Sequence, residues 1–188
     1  KVLKDVNLIW LFLVLVGVWW AVRLLGGNLL ISSVALLLVY GVGFIHGILN
    51  YILSEIPASA CLVWSSVFLL LAYKNKSLLL CILAGVALAL LTLTKAVFYY
   101  VFFPIPLILL GLLVLNRTPR KQCLLLPMML CIGFGLVVYP YMLRNYHHFN
   151  QFKITARGGV VLLIRANKND MNWTEIKGAF YHWAPQGY

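Results

Sequence analysis

The chain has 188 residues, of which 63% are hydrophobic and 10% charged, with a mean hydropathy of +0.96. A soluble domain is about 45–50% apolar and about 25% charged, so there is too little polar surface here to cover a core of this size. The composition excludes cytosolic enzyme folds, disulfide-stapled secreted domains and disordered chains, and requires a membrane protein.

Fifteen Lys and Arg against four Asp and Glu give a net charge of +11. The basic residues lie mostly between and after the apolar runs, with no aromatic-basic RNA motif, zinc-finger spacing or basic zipper. Membrane lipid, and not nucleic acid, is therefore the expected partner of this charge. The chain opens at Lys1 and enters an apolar run without the short h-region and small-residue cleavage site of a signal peptide. It reads as a piece of a longer polytopic protein.

A membrane-crossing helix needs about 20 mostly apolar residues. Six segments approach that: Val6–Leu25, Leu29–Ile48, Ile56–Tyr73, Ser77–Leu93, Val97–Leu115 and Cys123–Leu143. Their separators are a Gly26-Gly27-Asn28 turn, a basic Lys74-Asn75-Lys76 loop and a basic Arg117–Lys121 turn holding Pro119 as a helix stop. The expected fold is all-α, a polytopic transmembrane helical bundle of about six spans over residues 1–144, with a small extracytoplasmic segment over 145–188. The fourth and fifth spans are the expected site of irregularity, because Pro104 and Pro106 each remove a backbone donor.

Alternating spans sort the separators onto two faces. Arg23, Lys74, Lys76, Arg117, Arg120 and Lys121 share the short loops of one face, without an acid. The positive-inside rule makes that face cytoplasmic, short loops weighing more than the nine basic residues of the other face, most of which lie in the tail. In the tail, Val160–Ile164 is too short to span and reads as a strand or interfacial segment. Trp173, Ile176, Phe180 and Trp183 recur at helical spacing, so an amphipathic surface helix and a solvated loop are both open readings.

Ionisable groups at a membrane boundary are the best pointer to chemistry in such a chain. Glu55, Lys95 and Arg144 fall on one face by topology, with Tyr141, Asn145, His147 and His148 beside Arg144 and His46 near the end of the second span. Two cations and one carboxylate there can hold an anionic headgroup, Lys95 and Arg144 meeting the phosphate. The alternatives are that each charge snorkels to its own interface, or that Glu55 simply pairs with one cation.

Other groups point more weakly. His147-His148 are adjacent and diverge on a helix, with no Cys or Asp to complete a metal set. Gly43–Gly47 matches GxxxG, Gly158-Gly159 reads as a turn, and Ser54 beside Glu55 reads as a helix start with Pro57 in the first turn. Cys61, Cys81, Cys123 and Cys131 read as small buried hydrophobes, and Trp19-Trp20 and Tyr99-Tyr100 as interfacial aromatics.

Three stretches resemble the bacterial polyprenyl-phosphate-sugar-dependent membrane glycosyltransferases, a superfamily that includes protein O-mannosyltransferases and the aminoarabinose transferases of lipid A. Leu53–Val63, LSEIPASACLV, is similar to the family's Ser-Glu opening of a span. Ile82–Ala96, ILAGVALALLTLTKA, is similar to its small-residue helix ending Leu-Thr-Arg/Lys. Val137–Asp170, which opens VVYPYMLRNYHHFN, resembles its Pro-aromatic-x-x-Arg-Asn segment and following Gly-Gly turn.

The resemblance implies a glycosyltransferase whose partners are membrane lipid and a polyprenyl-phosphate-linked sugar, in a bacterial inner membrane with the site outside the cytoplasm. It places Lys95 and Arg144 on the lipid phosphate and Glu55, Asn145 and Tyr141 in organising the site. No resident cofactor is implied, and a divalent metal stays open. Family members carry their catalytic acid in a first extracytoplasmic loop, whereas the nearest acid here, Asp5, precedes every span. The catalytic acid is expected outside these residues. A transporter or flippase segment for an anionic or lipid-linked substrate is the competing expectation, and a scaffold whose charges only anchor helices is a third.

Overall fold

The computed structural model describes residues 2–41, 54–155 and 172–174. The chain divides into two units, Lys1–Phe152 and Lys153–Tyr188. All elements named below belong to the first unit. Among the described residues these are α1 (Val2–Leu24), α2 (Leu29–Gly41), α3 (Glu55–Asn75), α4 (Leu78–Thr94), α5 (Phe98–Phe102), α6 (Pro104–Leu115) and α7 (Arg120–Phe149), with no strand.

Four stretches are long and apolar enough to cross a membrane: Asp5–Leu24, Glu55–Asn75, Phe98–Leu115 and Arg120–Phe149. An all-helical chain with these segments has the build of an integral membrane protein. The described part of α2 has 13 residues and α4 has 17, about 20 and 26 Å of helix against a hydrocarbon core of about 30 Å. Among the described residues, four of the six expected spans reach membrane-crossing length, and the described parts of the other two are shorter apolar helices. Leucines at 29, 30, 37 and 38 of α2 are all exposed, a pattern that costs free energy in water and none in lipid.

The central helix is α4, packed between α3 and α7. Its small residues Cys81, Ala84, Gly85, Ala87 and Ala89 are buried together with Leu88, Leu91 and Thr92. Gly85 sits against the backbone of Leu130, Gly133 and Phe134, and Gly133 against the backbone of Ile82. Such contact is open only to residues without a side chain, and in lipid close van der Waals packing replaces the hydrophobic effect as the force between helices. The Thr92 hydroxyl donates to its own helix at Leu88 O, 2.8 Å away, which satisfies a polar group in an apolar centre.

Prolines break the fifth apolar run. Pro104 and Pro106 remove two donors from the helical ladder, and the chain divides at Phe103 into α5 and α6 although Phe103 keeps helical dihedrals of −57° and −42°. Against that break Phe102 stacks on Phe134 with ring centroids 3.6 Å apart, and Tyr99 lies 6.4 Å from the same ring. Because the Phe134 backbone also neighbours Gly85, α5 lies back on the Gly85 side of the Thr94 turn, and the Asn116–Tyr73 contact returns α6 to the end of the bundle where α4 begins. The chain therefore reverses between Thr94 and Phe98 and again between Leu115 and Arg120, so α4 and α7 run in the same direction.

The pairing of α1 with α3 fixes the rest. Leu11 packs on Ile56, the Trp64 indole N–H donates to Leu13 O at 3.1 Å, and the Lys74 ammonium donates to Leu24 O. These contacts advance together along both helices, which are parallel. Tyr73 Oη accepts from the Asn116 amide. The turns after α1, α3 and α6 therefore lie at one end of the bundle, with Arg23, Lys74, Lys76, Arg117, Arg120 and Lys121 on them. The described starts of α1 and α3 and the end of α4 lie at the other.

One expectation changes on contact with the structure. Cys81 and Cys123 are buried and Cys61 is half-buried, but Cys131 is exposed, because its face of α7 meets no other described helix. Ser54 directly precedes α3 and Pro57 lies in its first turn, as expected of a helix start, although the Ser54 hydroxyl makes no capping hydrogen bond. His46, the Gly43–Gly47 motif, Gly158-Gly159 and Val160–Ile164 lie outside the described residues. Of the segment Trp173–Trp183, only Trp173 and Thr174 are described, both exposed.

Candidate functional site

At the end of the bundle opposite the basic turns, Glu55 opens α3 and Lys95 closes α4. The chain must reverse after Thr94, where Lys95 leaves the helix in an extended conformation (φ −138°, ψ 99°) while its N–H still donates to Leu91 O. That geometry lets the ammonium swing across to α3. Lys95 Nζ lies 2.6 Å from Glu55 Oε1, and both side chains are 37% exposed. Of the open readings of these charges, the pairing of Glu55 with a cation is the one realised, and the cation is Lys95.

The pair uses half of the carboxylate. Glu55 Oε2 is enclosed and has no hydrogen-bond partner among the described residues. An ionised carboxylate has about four acceptor positions, so the Lys95 contact leaves acceptor capacity of Glu55 unused among the described residues.

Arg144 lies on α7, eleven positions beyond Gly133, and Lys95 lies ten positions beyond Gly85. With 1.5 Å per residue, each stands about 15 Å from the glycine crossing along parallel helices, which brings them to similar depth at one end. Arg144 is exposed and makes no ion pair among the described residues. Tyr141 and Asn145, flanking it, are half-buried, and His147 and His148 fill the last turn of α7, both exposed. Among the described residues, no cluster of three or more His, Cys, Asp or Glu could hold a metal ion.

One turn below Arg144, a shallow and widely open apolar groove along one face of α7 is lined by Ile132, Gly135, Leu136, Tyr139 and Pro140. Gly135 has no heavy atom near its missing side chain, and Pro140 lacks the N–H that would otherwise reach Leu136 O. Both features open the surface. The sequence reading did not single out this groove, nor the layer of Tyr99, Phe102, Phe103 and Phe134 beneath the Lys95 turn. Tyr99, Phe102 and Phe103 stand at i, i+3 and i+4, the spacing that puts side chains on one helix face. That signal was present in the sequence.

Comparison of the chain with family models, curated proteins and solved structures finds no match.

Proposed function

We propose that this chain contributes the donor-phosphate part of the site in an integral-membrane glycosyltransferase, which moves a sugar from a polyprenyl-phosphate donor to an extracytoplasmic acceptor. The observation that carries this reading is that a paired cation, Lys95, and an exposed one, Arg144, stand at similar depth at one end of the bundle. An apolar groove runs one turn below Arg144. A polyprenyl-phosphate sugar has the same two parts, an anionic phosphodiester head that gains a second negative charge as the sugar leaves, and a long apolar tail.

In this reading the tail lies along Ile132, Leu136 and Tyr139, and the phosphate meets the Arg144 guanidinium, which suits phosphate oxygens through paired N–H donors. Glu55 holds the Lys95 ammonium at the boundary until phosphate oxygens compete for it. In this reading Glu55, with Asn145 and Tyr141, organises the site. The two cations stabilise negative charge growing on the lipid phosphate as the sugar leaves. The carboxylate base that takes the acceptor's proton is not assigned to any of these residues. We assign the basic turns to the cytoplasmic face of a bacterial inner membrane by the short-loop rule, which turns Glu55, Lys95 and Arg144 outward.

Replacing Lys95 or Arg144 with Ala in the intact protein, followed by transfer of labelled sugar from a polyprenyl-phosphate donor in isolated membranes, tests the assignment. Loss of transfer with normal membrane insertion is expected for each. Unchanged transfer in both variants overturns it.

A further inference from the structure

The basic end of the bundle carries a second arrangement that the proposed sugar transfer does not use. Six cations stand there, Arg23, Lys74, Lys76, Arg117, Arg120 and Lys121, and all but Lys76 are exposed. The described acids, Asp5 and Glu55, belong to the starts of α1 and α3 at the opposite end. The fold accounts for some of this charge. Lys74 donates to Leu24 O, Arg23 donates to Gly27 O at 3.2 Å, and Lys76 lies 4.3 Å above the Tyr73 ring. Lys76 and Arg117 also follow the carbonyl ends of α3 and α6, where the helix dipole favours a cation.

The remaining charge is against the fold's own electrostatics. Arg120 and Lys121 open α7, the end at which a helix dipole disfavours positive charge. Neither has an ion-pair partner among the described residues. Lys76 and Arg117 each adopt a left-handed conformation with φ of 52°, where glycine is the less strained choice. Basic side chains are thus kept at two positions where the backbone conformation opposes them, Lys76 and Arg117, and at two where the helix dipole does, Arg120 and Lys121.

We propose that the Lys74–Lys76 and Asn116–Lys121 turns, joined by the Tyr73–Asn116 contact, seat the headgroup of an anionic phospholipid from the surrounding bilayer. The phosphate would meet Arg117, Arg120 and Lys121, with Lys76 at its margin. Charge complementarity supplies the first argument. The second is that exposed apolar side chains border the cations on each helix: Leu79 on α4 (65% exposed), Leu115 on α6 (79%) and Leu124 on α7 (69%). A soluble phosphate has no use for such walls, whereas the acyl chains of a phospholipid pack on them. Clusters of four or more cations at a helix end interact with anionic lipid in this way.

The test is native mass spectrometry of the purified full chain in detergent, titrated in parallel with phosphatidylglycerol, phosphatidylcholine and soluble glycerol phosphate. Phosphatidylglycerol is expected to be retained at least tenfold more tightly than phosphatidylcholine, with binding that weakens as salt rises. Neutralisation by R117Q/R120Q/K121Q should weaken it at least tenfold, each cation near an anionic surface being worth about fivefold. The charge-conserving R120K/K121R variant should bind as the parent does, which separates loss of charge from loss of folding. Equal retention of the two lipids, full binding by the neutralised variant, or glycerol phosphate binding as tightly as phosphatidylglycerol would each overturn the proposal.

Discussion

Gly85 and Gly133 face each other across the α4–α7 crossing so closely that each sits against the other helix's backbone. A Cβ on Gly85 would stand 2.8 Å from Phe134 N, and one on Gly133 would stand 2.9 Å from Ile82 Cα. Backbone atoms cannot rotate away as a side-chain tip can, so any added methyl must push the helices apart. This crossing sets the depth of both Lys95 and Arg144, and it links the packing of the bundle to the geometry of the site.

Gly85→Ala and Gly133→Ala should each therefore destabilise the protein by about 1–3 kcal/mol, the cost of overpacking a filled interior. Gly135→Ala, two positions away with nothing within 4 Å of its Cβ, should not lower stability and should raise it slightly, alanine being the better helix former. Thermal unfolding in detergent separates the three. Equal Tm values for Gly85→Ala and Gly135→Ala would contradict the crossing.

Much of this arrangement was legible in the sequence, and the part that was not has a physical reason. Turn residues and loop charges are local signals, so the two ends of the bundle and the irregularity at Pro104 and Pro106 could be read directly. Which residues face a neighbour is decided by packing between distant segments. Cys81 and Cys131 look alike in an apolar run, yet one lies in the centre of the bundle and the other on its surface. Glu55 and Lys95 could be placed on one face by alternation alone, but their contact depends on how far α4 extends before it turns. The crossing glycines gave no distinctive signal, because small residues are common in apolar helices and their value depends on the partner they meet.

The Glu55–Lys95 pair predicts coupling between the two positions. Lys95→Ala leaves an enclosed carboxylate without its cation, and Glu55→Ala leaves an ammonium without its acceptor, so each should lower Tm. The double variant should be no less stable than the worse single variant, since nothing is then left unpaired. Additive losses in the four-protein cycle would show that the 2.6 Å contact contributes nothing.

The α1–α3 contact predicts a specific role for Trp64. Its indole N–H reaches Leu13 O, and the approach is possible because Gly17 leaves room, a Cβ there falling 2.6 Å from Val63 Cγ1. Trp64→Phe keeps most of the ring contact with Trp20 and Phe68 and removes the donor. A loss of about 1 kcal/mol is expected. Gly17→Ala should add to it only partly, because both changes act on the same interface. Tm measurements on the two single variants and the pair provide the check.

The sorting of charges onto two ends predicts an accessibility pattern that can be read in intact cells. Three turns are held at one end by the Lys74–Leu24 and Tyr73–Asn116 contacts. The 30 residues of α7 carry Asn150 about 45 Å from its first turn, farther than a hydrocarbon core of about 30 Å. In a background with the four native cysteines replaced by serine, Lys76→Cys and Arg117→Cys should therefore share one accessibility to an impermeant maleimide, and Asn150→Cys should have the opposite one. The orientation proposed here makes Asn150→Cys reactive from outside, and Lys76→Cys reactive only after the membrane is opened. The reverse pattern keeps the bundle but turns it over, which would move Lys95 and Arg144 to the cytoplasm and remove the donor site from its proposed side. Different labelling of Lys76→Cys and Arg117→Cys would be the more serious outcome, because no orientation of this fold puts those two turns on opposite sides of a membrane.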